Sequence, residues 1–195
     1  MILVEQADAL ASVLPVAAFR DHLRLGRGFA DDALQDDVLE GQLRAALSAI
    51  EARTGKAILQ RGFALRLSAW SGLSREVLPM APVVAVSAVS VVDADGVATV
   101  IDPARYRLVE DTHRPCLEAA GFVLPVVPVG GFAQITFEAG FGAAWAEVPN
   151  GLSYAVLKLA AHFYERRGGG QDGYPEDVQA LIAPYRDIRL FGRAW

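Results

Sequence analysis

Two long stretches of this chain carry apolar residues at helical spacing, and the segment between them carries them at every second position. In residues 32–54, Leu39, Leu43, Ala46, Leu47 and Ile50 recur at intervals of three and four, so they share one helix face. Leu34, Val38, Ala45 and Ala49 form a thinner second face, leaving Glu40, Arg44, Ser48 and Glu51 for solvent. Asp32 with Gln35 resembles a capping box, Asp31, Asp36 and Asp37 suit the positive end of the helix dipole, and Gly55 suits the stop.

The second helical stretch starts after Pro149 and ends at the glycine run Gly168–Gly170. Leu152, Ala155, Val156, Leu159 and Phe163 make its main face. At about 100° per residue, Tyr154, Leu157, Ala161 and Tyr164 fall on a second apolar face roughly opposite. Only Lys158, His162 and Glu165 keep a narrow polar sector. A helix apolar on two sides has two things to pack against: its own core, and a further layer or a neighbouring subunit.

Two shorter helices complete the set, one over Val16–Leu25 behind Pro15 and one led by Pro175 through Ala183. The intervening segment has strand period. Phe63, Leu65 and Leu67 alternate with Ala64, Arg66 and Ser68, and Val83–Val92 is rich in valine. Asp95-Gly96 turns the chain into Val97–Ile101, Tyr106–Val109 pairs with Pro115–Glu118 across a turn, and Phe132–Glu138 is the last strand. The pattern predicts an α+β fold, with N- and C-terminal helices packed into a bundle and a small antiparallel β subdomain inserted between them. The expected boundaries are helices over 1–57, β subdomain over 58–142, helices over 143–184 and a tail over 185–195.

Composition narrows the function classes. Hydrophobic residues make up 53% and charged residues 21%, so the chain is not intrinsically disordered. A formal net charge of −5 argues against a general nucleic-acid binder. Cys116 is the one cysteine, so no internal disulfide forms and no cysteine-rich zinc site exists. No apolar run is long enough for a membrane helix and no basic leader opens the chain, so the expectation is a soluble intracellular protein without a membrane partner.

Candidate chemistry is thin. His162 and Glu165 share a helix face, but the second histidine of a zinc-protease helix is missing. Cys116 lies near His113 with no setting that would stabilise a thiolate, so it reads as a packed cysteine. The acidic residues of 31–40 lack the glycine of a calcium loop, and Gly168–Gly170 follows a helix instead of opening one. No catalytic residue, metal or cofactor is expected; a small hydrolase using His113 or His162 is the rival reading. The tail is more informative. Tyr185, Arg186, Ile188, Arg189, Leu190, Phe191, Arg193 and Trp195 mix arginine with aromatic and aliphatic residues, the composition of a protein interface.

The order of these motifs resembles a known family. Ile135-Thr136-Phe137-Glu138-Ala139-Gly140-Phe141-Gly142 precedes Val148-Pro149 and a helix with Ala155, Leu159, His162, Tyr164 and Arg167; Pro184-Tyr185-Arg186 follows. Upstream, Ile50-Glu51-Ala52-Arg53-Thr54-Gly55 precedes Leu59, Trp70, Leu78-Pro79 and Pro82-Val83. Over about residues 15–190 this is similar to the head–tail connector (adaptor) proteins of tailed phages and phage-like gene transfer agents.

The resemblance implies a non-enzymatic virion protein, assembled in the bacterial cytoplasm and placed at the head–tail junction. It implies a homo-oligomeric ring, commonly of twelve copies, below the portal protein. The ring extends the DNA channel without binding DNA specifically and docks the next connector, stopper or tail protein. By the same analogy Leu34, Val38, Tyr154, Leu157, Ala161 and Tyr164 meet neighbouring subunits, and Tyr185–Trp195 reaches the portal. A tail-completion or stopper protein at the same junction is the alternative. The β subdomain is larger here than in the most compact, nearly all-helical members.

Overall fold

A computed structural model describes residues 1–6, 13–25, 32–166 and 174–186, with side chains described from residue 35 in the third span. It is a mixed α+β chain whose contacts fall into two compact units, Met1–Val13 with Ala57–Val148, and Leu14–Lys56 with Pro149–Trp195.

The first unit holds the strands. A five-stranded sheet has the order β1-β2-β8-β4-β5, from β1 (Ile2–Glu5), β2 (Arg61–Leu67), β8 (Phe132–Ala139), β4 (Val83–Val92) and β5 (Ala98–Val100), all antiparallel. A three-stranded sheet has the order β3-β7-β6, from β3 (Arg75–Val77), β7 (Cys116–Ala119) and β6 (Tyr106–Val109). One buried cluster draws on both sheets: Phe63, Leu65, Leu67, Val89, Ile135 and Phe137 from the larger, and Leu117 from the smaller. The Phe63 and Phe137 rings stack with centroids 5.6 Å apart. Full burial of side chains this size contributes about 1.5–3 kcal/mol each.

Two glycine positions shape this unit. The Asp-Gly turn between β4 and β5 has Gly96 at φ +83°, and Asp93 Oδ1 accepts from the backbone N–H of Asp95 (3.0 Å) and Val97 (2.8 Å). At the end of β8, Gly140 has φ +143°, and an added Cβ would lie 2.3 Å from Gln60 Cα. Its N–H donates to Pro82 O at 2.9 Å. The glycine in the Ala139–Gly142 motif is therefore what allows three backbone segments to converge.

The strand β1 corrects the expected boundaries. Residues 1–57 were predicted as helices, yet Ile2–Glu5 pairs with β2 in register Ile2↔Arg66 to Glu5↔Phe63, and Leu3 packs on the strand core. Four residues are too few for alternation to declare itself, and the pairing is long-range. At the other end, the 3₁₀ turn Trp145–Glu147 stays with the strands, where Glu147 Oε2 accepts from Ala144 N–H at 3.0 Å.

The second unit holds α1 (Val16–His22), α2 (Asp32–Thr54), α3 (Asn150–Glu165) and α4 (Glu176–Ile182). Helix α2 packs against α1 and α3, and α3 packs against α1 and α4. The predicted main face of α2 is the buried one: Leu39, Leu43, Ala46, Leu47 and Ile50 are all closed to solvent, as are Leu152, Ala155, Val156 and Leu159 of α3. Gly55, at φ +66°, ends α2 with its N–H on Glu51 O at 2.8 Å. The side chains of Asp31, Asp32 and Leu34 lie outside those described, and with them the proposed capping box.

Candidate functional site

The second face of α3 is partly covered. Leu157, Ala161 and Tyr164 are half-buried, whereas Tyr154 is 46% exposed. Tyr154 is framed by its neighbours, with the His22 ring edge-on at 6.1 Å and Lys158 Nζ 5.5 Å from its ring centroid. On α2, Val38 is 39% exposed. So of the six residues assigned to a subunit contact, Tyr154 and Val38 offer open apolar surface, Leu157, Ala161 and Tyr164 are half-buried, and the Leu34 side chain is outside those described.

Helix α4 is fastened to α3 by an ion pair between Lys158 and Asp177. The hydrogen bond raises the Lys158 pKa above its ordinary value and lowers that of Asp177 below its own. Just before α4, Tyr174 Oη donates to the backbone oxygen of Ala49 at 2.6 Å, and the Arg53 guanidinium lies over its ring at 4.7 Å. Burial pushes the Tyr174 phenol above its ordinary pKa.

Of the tail, the described residues are Tyr185 and Arg186; Ile188, Arg189, Leu190, Phe191, Arg193 and Trp195 lie outside them. Tyr185 is half-buried in a 3₁₀ turn (Ala183–Tyr185), and its Oη would lie 3.5 Å from a Cβ placed on Gly151 at the start of α3. Arg186 is exposed.

The catalytic-looking residues do not converge. Cys116 is 2% exposed on β7, and Arg75 Nη2 lies 3.7 Å from its sulfur. His113 sits in an exposed turn whose backbone is held by Asp111 Oδ1, which accepts from the N–H of His113 and of Arg114, both at 2.7 Å. His162 is half-buried on α3, ring to ring with Phe163 at 6.3 Å. No group of three potential metal ligands occurs among the described residues, and no described helix is long and apolar enough to cross a membrane.

Sequence reasoning missed the apolar surface of the strand unit. Leu73 (81%), Phe122 (97%), Val126 (83%) and Val129 (100%) stand exposed on two loops. The loops are tied together: Trp70 Nε1 donates to Pro125 O at 2.6 Å, and Leu124 N–H to Leu73 O at 2.8 Å. They border a cavity of about 470 Å³ lined by Trp70, Leu73 and Val123–Val127. The uncharged run from Ala119 to Gly131 was the available signal. Contiguous exposed apolar surface is a feature of interaction sites and ligand grooves.

No protein-family model and no curated protein matches the chain. Solved structures do. A chain in the neck of an empty gene transfer agent (GTA) particle, computed with C6 symmetry, is 49% identical with 99% of both chains covered and a TM-score of 0.92. A chain in the virion of a native GTA particle is 49% identical over 99% of both, with a TM-score of 0.88. One in the neck of a native GTA particle, computed with C12 symmetry, is 46% identical over 99% of both, with a TM-score of 0.86.

Proposed function

Because the chain belongs to the family of gene transfer agent neck proteins, a structural and non-enzymatic family, we propose that it is the adaptor of the head–tail junction. In this reading, copies form a ring below the portal that continues the DNA channel and docks the next neck or tail component. The observation that carries it is full-length similarity at 46–49% identity to chains of GTA particles, two of them from necks computed with C6 and C12 symmetry. Those symmetries support a ring, and twelve copies satisfy both.

The surface chemistry agrees. A cyclic array needs two different faces on each copy, and the helical unit offers open apolar side chains at Val38 and Tyr154. A net charge of −5 suits a conduit that lets DNA pass without holding its phosphates. The test is imaging of purified particles carrying a labelled version of the chain. A labelled ring at the neck, touching the portal, is expected; label confined to the tail side of the neck would assign the chain as a stopper instead, and label absent from the neck overturns the reading.

A further inference from the structure

Among the described residues the five-stranded sheet has two open edges, and both carry exposed apolar side chains. At one, β1 exposes Ile2 (62%) and Val4 (49%) beside Met1 (76%). At the other, β5 and the turn before it expose Val100 (70%) and Val97 (62%). No described strand pairs with the outer side of either. Edge strands are usually guarded by lysine, proline or an inward charge. Here neither strand carries a lysine or proline, and the protection that remains is shortness: β5 is the three residues Ala98-Thr99-Val100, β1 has four, and the one charge of β1, Glu5, is engaged by Arg61 at 2.8 Å.

The register places these edges in one line. Ile2 pairs with Arg66, Arg66 with Gln134, Gln134 with Ser90 and Ser90 with Val100. Side chains in one cross-strand row share a face. This row lies on the face opposite Leu65 and Ile135, with a polar middle, where Arg66 Nε donates to Gln134 Oε1 at 2.9 Å, and an apolar residue at each end. Four antiparallel steps separate β1 from β5, so the two run in the same direction.

We propose that the β1 edge of one copy lies against the β5 edge of the next, so that Ile2 meets Val100 across the subunit boundary. The occupant of each edge is a second copy of this chain. Opposite edges of one sheet form the non-identical, head-to-tail pair that rotational symmetry requires, and rotation about an axis along the strands sets β1 beside β5 as a parallel pair. The contact rests on the ring reading and adds to it an intersubunit surface in the strand unit.

The test uses particles assembled with an Ile2→Cys, Val100→Cys double variant and a short bismaleimide. The single native cysteine, Cys116, is buried, so the introduced thiols are the ones that react. A ladder of covalent multimers is expected from the double variant and none from either single variant. A ring visible at the neck with only monomers on the gel overturns the edge contact and leaves the ring reading standing. Dimers from the Ile2→Cys variant alone overturn it in favour of like edges meeting. Absence of a ring from unmodified particles overturns both.

Discussion

Tyr174 and Ala49 are 125 positions apart, yet the phenol of one donates to the backbone oxygen of the other at 2.6 Å. The bond is partly shielded and its ring is capped by Arg53. It ties the segment leading into α4 to the C-terminal half of α2. Removing the hydroxyl alone should cost what a single hydrogen bond contributes, about 0.5–1.5 kcal/mol. The expected result for Tyr174→Phe is a lower denaturant midpoint with an unchanged slope. An unchanged midpoint would mean that the hydroxyl contributes nothing to the unit.

Gly140 gives a sharper case. An added methyl would meet Gln60 Cα at 2.3 Å and Gln60 N at 2.4 Å, both backbone atoms that cannot swing aside. Gly140→Ala should destabilise by at least the about 1–3 kcal/mol of overpacking, with the cost of a positive φ added. Thermal unfolding of the purified variant measures it. A variant as stable as the parent would show that the β8 exit relaxes freely.

The helices were legible because burial follows a period that few other structures produce. Leu39, Leu43 and Ile50 fall on one line of a cylinder, and that line is the buried one. The strands β4 and β8 declared themselves through valine content and alternation. What escaped was non-local: β1 is a strand because β2 lies beside it, and β3 because Glu76 and Val77 pair with Leu117 and Cys116. The second face of α3 was legible as apolar but not as half-covered, since what covers a helix face comes from other parts of the sequence, as the contacts of α1 and α4 with α3 do. The loop apolar patch was missed because an uncharged, proline-containing run without period reads simply as a connection.

That half-coverage changes which substitutions probe assembly. Leu157 and Tyr164 are half-buried, so charges there would mix folding with ring formation. Val38 and Tyr154 are open, and surface substitutions of this kind usually stay within about 0.5 kcal/mol. The Val38→Asp, Tyr154→Glu variant should therefore stay folded with a melting temperature near the parent's and fail to form rings. Complete rings in images of particles carrying it would return this face to a purely local role.

If the tail carries a portal contact, that contact is separable from the fold. Tyr185 rests beside Gly151, so truncation after Arg186 spares that contact while deleting Ile188, Arg189, Leu190, Phe191, Arg193 and Trp195. The shortened chain should fold with parental stability and lose its association with the portal. Undiminished co-purification with portal would place the portal contact elsewhere on the subunit.

The Lys158–Asp177 pair carries a pH signature whose sign follows from both partners. The hydrogen bond to Lys158 lowers the Asp177 pKa, so its contribution is complete above the ordinary value of 3.8 and is lost as pH falls through the lowered one. The same bond to Asp177 raises the Lys158 pKa, so its share is complete below the ordinary value of 10.5 and is lost as pH rises through the raised one. Between those limits the pair holds α4 to α3 at full strength, though solvent screening keeps the effect small. Asp177→Asn keeps the size of the side chain and removes the charge. Its melting temperature should sit below the parent's by a constant amount across neutral pH, with the gap closing in acid and shrinking in high salt. A gap that persists unchanged through the acid limb would show that Asp177 acts there through the Val178 N–H it accepts at 2.8 Å and not through Lys158.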